Sequence, residues 1–150
     1  MLRTLVVMET SPRTWGLAYL VAAVVFTLVD LVWLTLVAPD LYADLLGDLL
    51  ADPVRPEAAV AFYLLFVAGV VHFVVAPALR RASLRWAFGS GAFFGLVTYA
   101  TWDLTALSVI EGFPAAVVPI DMAWGAFLAS VVSGATTWVM LRRSASRPTP

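Results

Sequence analysis

The chain has 150 residues, of which 62% are hydrophobic and 13% charged, and its mean hydropathy is +0.93. Soluble domains are about 45–50% apolar and about 25% charged, so this composition excludes a water-soluble fold and indicates an integral membrane protein. The absence of cysteine excludes disulfides and thiolate chemistry, and no basic-aromatic patch supports binding to nucleic acid.

The first apolar segment, residues 16–38, is predicted to be a transmembrane helix. Its 23 residues would extend about 34 Å, enough to cross a hydrocarbon core of about 30 Å. It is longer than the apolar region of a signal peptide, and no small-residue cleavage motif follows it, so we expect it to be retained. Pro39 is expected to end the helix because proline lacks an amide donor.

Residues from about 40 to 52 are predicted to form a short amphipathic helix on the membrane surface. Acids recur at every fourth position, at Asp40, Asp44, Asp48 and Asp52, and leucines occupy the other side. Two interpretations remain open. The acids are either a solvated face or a lip that attracts cations.

Three further spans are predicted at about 58–79, 86–110 and 119–141. Each exceeds the roughly 20 residues that a membrane-spanning helix needs. Residues from about 144 to 150 form a polar tail that we expect to be disordered. The fold prediction is therefore an all-α bundle of four transmembrane helices, with residues 1–150 as a single membrane domain.

The distribution of arginine predicts the orientation of the bundle. Eight of the nine arginines fall in the N-terminal arm, the loop at 80–85 and the C-terminal tail. Acids dominate the other ends of the spans. By the positive-inside rule, both termini of this multi-pass protein are predicted to be cytoplasmic.

The two halves of the chain suggest a weak internal repeat. Asp30-Leu31 aligns with Asp103-Leu104, and Leu79-Arg80-Arg81 aligns with Leu141-Arg142-Arg143. This pattern predicts two parallel hairpins related by an axis along the membrane normal. Chance similarity between apolar helices is the rival explanation.

Three aspartates within the spans are the main functional signal. Asp30, Asp103 and Asp121 are all predicted to lie in the outer half of the bilayer, with no arginine inside the spans to neutralise them. Trp33 and Trp124 follow two of them at a spacing of three, which places each pair on one helix face. Indole N–H groups are hydrogen-bond donors suited to carboxylates.

These acids predict a polar pocket that binds a proton, a cation or a small polar ligand, for transport or sensing. Tyr99 and Thr105 are expected to supply further hydrogen bonds. The predicted pocket residues are Asp30, Trp33, Tyr99, Asp103, Thr105, Asp121 and Trp124. The alternative is that the acids are interhelical glue, with small residues allowing the helices to approach closely.

The sequence contains no recognisable catalytic or metal-binding motif. No nucleotide-binding, HExxH or Ser-His-Asp pattern is present, so no metal site, cofactor or catalytic residue is assigned. The single histidine, His72, falls in the predicted inner half, away from the acids. We interpret it as a packing or hydrogen-bonding residue.

Several motifs resemble those of domain-of-unknown-function family 2177. They are Asp30-Leu-Val-Trp33, Phe62-Tyr63, the stretch 95–105 and Asp121-Met-Ala-Trp124-Gly125, within a resemblance that covers about 16–141. The resemblance implies a small four-helix bacterial inner-membrane protein, but no reaction, because the family has no established activity. Trp102 stands where the family pattern has Tyr, and Ala106 where it has Asn, which implies an altered polar site if that Asn belongs to it.

Two other function classes remain open from sequence. One is a lipid-modifying membrane enzyme or its accessory subunit, with Asp103 as a general acid or base. The other is a structural subunit of a membrane complex. Because four helices enclose little space, a homo-oligomer or a membrane-protein partner is also considered, in addition to the lipid bilayer itself.

Overall fold

The computed structural model describes residues 11–146, and over that range it consists of helices, turns and short loops. Four helices are long and apolar enough to cross a membrane, so the predicted all-α bundle of four spans is confirmed. The helices are α1 (Pro12–Leu36), α2 (Ala38–Leu46), α3 (Pro56–Arg81), α4 (Leu84–Val109) and α5 (Val117–Ala145), and a 3₁₀ turn (Gly47–Leu49) follows α2.

Local capping sets where two of the spans begin. The Ser11 hydroxyl accepts a hydrogen bond from the Thr14 amide at the start of α1, and Ser83 does the same for the Trp86 amide at the start of α4. α1 therefore begins four residues before the predicted boundary at residue 16. The cap extends the helix into a polar segment that hydropathy alone would leave outside.

The prediction that Pro39 ends the first span is wrong. α1 ends at Leu36, and Val37 leaves the helical conformation with φ −122° and ψ −51°. Pro39 instead stands in the first turn of α2, where the missing amide has no intrahelical partner to lose. α2 is also shorter than the predicted 40–52, because Gly47 adopts a φ of +48° directly after Leu46.

α3 contains a wider, π-helical turn over Val70–Val75. The Ala76 amide there bonds to the carbonyl of Val71. Pro77 follows directly and cannot donate an amide to the preceding turn, so a widened turn relieves the clash of its ring with the backbone. The span therefore remains one continuous helix through to Arg81.

Small residues determine how closely α4 and α5 pack, and these two helices share the most extensive interface in the bundle. A Cβ atom added to Gly95 would overlap the backbone carbonyl of Gly125, and one added to Gly91 would meet the carbonyl of Ala129. α5 also packs against α1 and against the π-helical turn of α3. It is therefore the central helix, and the cavities described below open beside it.

Two arginine–tryptophan stacks lie at the end of the bundle opposite α2. The guanidinium of Arg81 lies 4.0 Å from the ring centre of Trp86, and that of Arg142 lies 4.7 Å from Trp138. α5 continues through Ala145, so the predicted tail starts within a helix. The rest of that tail (147–150) and residues 1–10 lie outside the described residues.

Candidate functional site

Cross-helix hydrogen bonds bring two of the three predicted acids to the end of the bundle that carries α2. Trp124 of α5 contacts Asp30 of α1, and Tyr42 of α2 contacts Asp121 of α5. Asp103 lines the same cavity as Asp121. The three carboxylates thus occupy one end of the bundle, although each has different surroundings.

Asp30 is a satisfied interhelical anchor. Its carboxylate is 6% exposed, and it accepts a 2.7 Å hydrogen bond from the Tyr63 hydroxyl and a 3.4 Å bond from Trp124 Nε1. α1, α3 and α5 are therefore joined at one carboxylate. Charge-assisted bonds of this kind are stronger than bonds between neutral groups.

The spacing had suggested that Trp33 and Trp124 each pair with the aspartate of their own helix. The described residues show no such hydrogen bond. Trp124 donates to Asp30 of another helix, and its ring stacks on Trp33 with centroids 4.5 Å apart and planes 13° from parallel. A spacing of three residues places side chains on one face. It does not determine which neighbouring helix supplies the partner.

Asp121 is hydrogen-bonded to α2. One of its oxygens accepts a 2.7 Å hydrogen bond from the Tyr42 hydroxyl. Burial, and then this bond to the carboxylate, raise the pKa of Tyr42 above its usual range, while a bond from Trp33 acts in the opposite direction. Tyr42 therefore remains a neutral donor and holds α2 against α5.

Asp103 is the most deeply buried of the three acids and the least satisfied. It is 1% exposed, and neither carboxylate oxygen has a hydrogen-bond partner among the described residues. Ala106, on the same face one turn along α4, is also buried and offers no polar group. Position 106 therefore offers Asp103 no side-chain partner.

Asp103 lines one of two neighbouring cavities. One, of about 390 Å³, is lined by Asp103, Asp121 and three aromatic residues, Phe62, Tyr99 and Trp102. The other, of about 470 Å³, is lined in part by α2 and is mainly apolar. Trp102 and Asp121 line both, so the two cavities lie next to each other.

Tyr99 and Thr105 have different positions relative to these cavities. Tyr99 lines the smaller cavity, and its ring occupies the space that a side chain at Gly125 would need. Thr105 is exposed, and its hydroxyl donates back to the carbonyls of Thr101 and Trp102 in its own helix. The structure therefore does not bring Thr105 to the acids.

Two tyrosines at the site were not among the predicted pocket residues. Tyr63 donates to Asp30, and Tyr42 donates to Asp121. Tyr63 is one of only two polar side chains in the predicted span 58–79, which is a signal that could have identified it. Tyr42 lies in the segment 40–52, which was interpreted from its regularly spaced acids, and its tyrosine was not considered as a donor.

His72 lies apart from the acids, on an exposed surface of the π-helical turn. Its ring meets Phe73 edge-on at 4.7 Å between centroids. The expected packing role is thus limited to a surface contact. Within the described residues, no group of three or more His, Cys, Asp or Glu side chains has the arrangement of a metal site.

Comparison with known proteins identifies the family. Residues 15–138 match a family described as "Predicted membrane protein (DUF2177)", so the chain belongs to that family, as its motifs suggested. No curated protein and no solved structure matches the chain.

Proposed function

We propose that this member of the DUF2177 family binds a proton or a cation at Asp103, in the cavity shared with Asp121, for transport or sensing. The single observation that carries the proposal is the buried carboxylate of a cavity-lining residue, both of whose oxygens lack a hydrogen-bond partner among residues 11–146. Buried polar groups in proteins are nearly always hydrogen-bonded, so an exception calls for a ligand, a water or a functional role.

The energetics favour a positively charged occupant. An unpaired carboxylate in a low-dielectric environment is unstable, so it takes up a proton or acquires a countercharge. No arginine of the part of the chain that the structure describes lines either cavity, and the sequence has no lysine. Asp121 adds a second carboxylate to the same space, which strengthens the attraction for a cation.

The alternative of interhelical glue applies to Asp30 better than to Asp103. Asp30 receives donors from two other helices, whereas Asp103 receives none from the described residues. A purely structural acid would be expected to have such partners, because satisfied polar bonds are what stabilise helix association in membranes.

The charge distribution supports an outward opening for the site. With the arginine-rich end in the cytoplasm of a bacterial cell, the cavities and α2 face the other side of the plasma membrane. Asp40 and Asp44 are exposed on α2 near this opening.

Binding by the protein reconstituted in nanodiscs tests this proposal. Calorimetric titration with sodium, potassium, calcium and methylammonium is expected to give binding of at least one cation that strengthens as pH rises, because the cation replaces a proton. Asp103→Asn should weaken it at least about tenfold, equal to about 1.4 kcal/mol. Asp44→Asn, which removes an exposed acid at the same end, is the matched control.

The proposal fails under either of two results. One is binding that is equally strong in Asp103→Asn and in the unaltered protein. The other is the absence of both cation binding and any proton exchange at Asp103 across the pH range in which the protein stays folded.

A further inference from the structure

We infer that the occupant of the two cavities is an organic ammonium ion: a protonated primary amine that carries an apolar, preferably aromatic, body. The inference rests on the proposed function and names the class of ligand for the same site. Its basis is the combination of unpartnered carboxylate oxygens, aromatic walls and an adjoining apolar space.

An ammonium group matches the unsatisfied atoms. A primary ammonium carries three N–H donors and no acceptor. Both oxygens of Asp103 lack a partner, and Tyr42 takes up only one oxygen of Asp121. A single ammonium between these carboxylates would satisfy groups that the described residues leave without donors.

The walls of the smaller cavity suit the positive charge in a second way. Phe62, Tyr99 and Trp102 line it beside the two acids. A cation near an aromatic face is stabilised by the ring quadrupole, and tryptophan is the best of these rings. Trp102 lines both cavities and is 62% exposed, so it is the most accessible of the three rings.

The larger cavity provides room for an apolar body. Its walls include three leucines from the end of α2 and the turn after it, Leu46, Leu49 and Leu50. Ile110 and Val117, at the ends of the spans, also line it. The two volumes, about 470 and 390 Å³, lie in the range of small-molecule sites. A bare ion would leave most of this apolar surface without a contact.

Two competing occupants fit less well. Hard divalent cations take six or more oxygen ligands, or near-ideal octahedral geometry, whereas the acids lining these cavities are only two. Phospholipid headgroups carry a phosphate, which is usually recognised by arginine or lysine, and neither cavity has a basic residue in its lining. An amine without a phosphate avoids both difficulties.

Three matched probes separate the features of the ligand. 2-Phenylethylammonium has the charge and the ring, 2-phenylethanol has the same shape and a donor without the charge, and methylammonium has the charge without the ring. In calorimetric titrations of the nanodisc-embedded protein, we expect 2-phenylethylammonium to bind at least about tenfold more tightly than either of the others.

Variants then identify the groups that contribute to binding. Asp103→Asn should weaken 2-phenylethylammonium binding at least about tenfold, and Trp102→Leu should weaken it about three- to tenfold. Asp44→Asn and Trp138→Leu change an acid and an exposed tryptophan that line neither cavity, so they should leave the affinity within about twofold.

The outcomes distinguish this inference from the proposed function. If methylammonium or sodium binds as tightly as 2-phenylethylammonium, the ligand class is wrong while the cation site stands. If 2-phenylethanol binds equally well, the ligand class is overturned. If Asp103→Asn has no effect on an ammonium that does bind, both ideas are overturned. If none of the three probes binds but an inorganic cation does, only the ligand class is overturned.

Discussion

Asp30 and Asp103 are both almost fully buried aspartates, yet their surroundings differ in one decisive respect. Asp30 accepts hydrogen bonds from Tyr63 and Trp124, whereas neither oxygen of Asp103 has a donor among the described residues. The first carboxylate joins three helices, and the second belongs to a residue that lines a cavity. Burial alone therefore does not show whether an acid has hydrogen-bond donors around it.

The repeat predicted from the sequence suggests how this difference arises. When Leu79-Arg80-Arg81 is aligned with Leu141-Arg142-Arg143, the position that corresponds to Tyr63 is Gly125. A side chain at Gly125 would overlap the ring of Tyr99. The second half of the chain thus has no tyrosine donor at the corresponding position, and an aromatic ring packs there instead. The repeat itself remains a prediction.

Replacing each acid by leucine should separate the two roles most clearly. Asp30→Leu leaves the Tyr63 hydroxyl and the Trp124 indole without an acceptor, and unsatisfied donors cost about 1–3 kcal/mol each. We expect the free energy of unfolding in mixed micelles to fall by about 3 kcal/mol. Asp103→Leu should change it by less than about 1 kcal/mol, or raise it, because no hydrogen bond is lost. Equal destabilisation by both would contradict the distinction.

Gly125→Ala should test the packing of the Tyr99 ring against Gly125, the position that corresponds to Tyr63 in the predicted repeat. The added methyl group would overlap the Tyr99 ring, and overpacking of this kind costs about 1–3 kcal/mol. Gly89→Ala is the control, because a Cβ there meets nothing within 4 Å. Unfolding free energies should show a loss of about 2 kcal/mol for the first variant only. If the two variants unfold alike, the close approach of Tyr99 is not a constraint.

Tyr63→Phe should leave Asp30 with one hydrogen-bond donor fewer, so that its surroundings become more like those of Asp103. It removes the shorter of the two bonds to the carboxylate, a loss of about 1 kcal/mol. A double-mutant cycle with Asp30→Asn measures the coupling directly. Additive effects in that cycle would argue against the bond as a stabilising contact.

Tyr42→Phe should have the smallest effect on stability, below about 1 kcal/mol, because the residue is only partly buried. The pKa of Tyr42 is raised in the folded protein, chiefly by burial. Its contribution is therefore complete below the ordinary tyrosine pKa of about 10 and is lost as pH rises through the folded value. Ultraviolet titration of the unaltered protein and of Tyr42→Phe isolates this residue: the absorbance change near pH 10 should be the same in both, because Tyr42 does not ionise there in the folded protein. A smaller change in Tyr42→Phe would contradict the raised pKa of Tyr42.

The sequence predicted the spans and located the acids, because both depend on properties of single residues. The long apolar runs require membrane helices, and aspartates stand out against them. The donors were not predictable in the same way. Trp124 donates a hydrogen bond to Asp30 and not to Asp121 of its own helix. Which acid it reaches depends on the rotation and packing of three helices.

Local backbone geometry was the other limit. Pro39 was expected to end a helix, yet it begins the next one, since a proline suits the first turn as well as the position after a helix. The resulting break at Val37 precedes the turn of α2 that carries Tyr42. The bond between α2 and Asp121 was therefore not visible in the acidic pattern of residues 40–52.

Infrared difference spectroscopy on membrane-reconstituted protein with isotope-labelled aspartate tests the central claim most directly. Addition of 2-phenylethylammonium is predicted to remove the carbonyl band of one protonated carboxylic acid and to produce a carboxylate band. The change should persist in Asp30→Asn and disappear in Asp103→Asn. An unchanged spectrum in the unaltered protein, or a change that survives Asp103→Asn, would contradict the assignment of Asp103 as the carboxylate that receives the ligand.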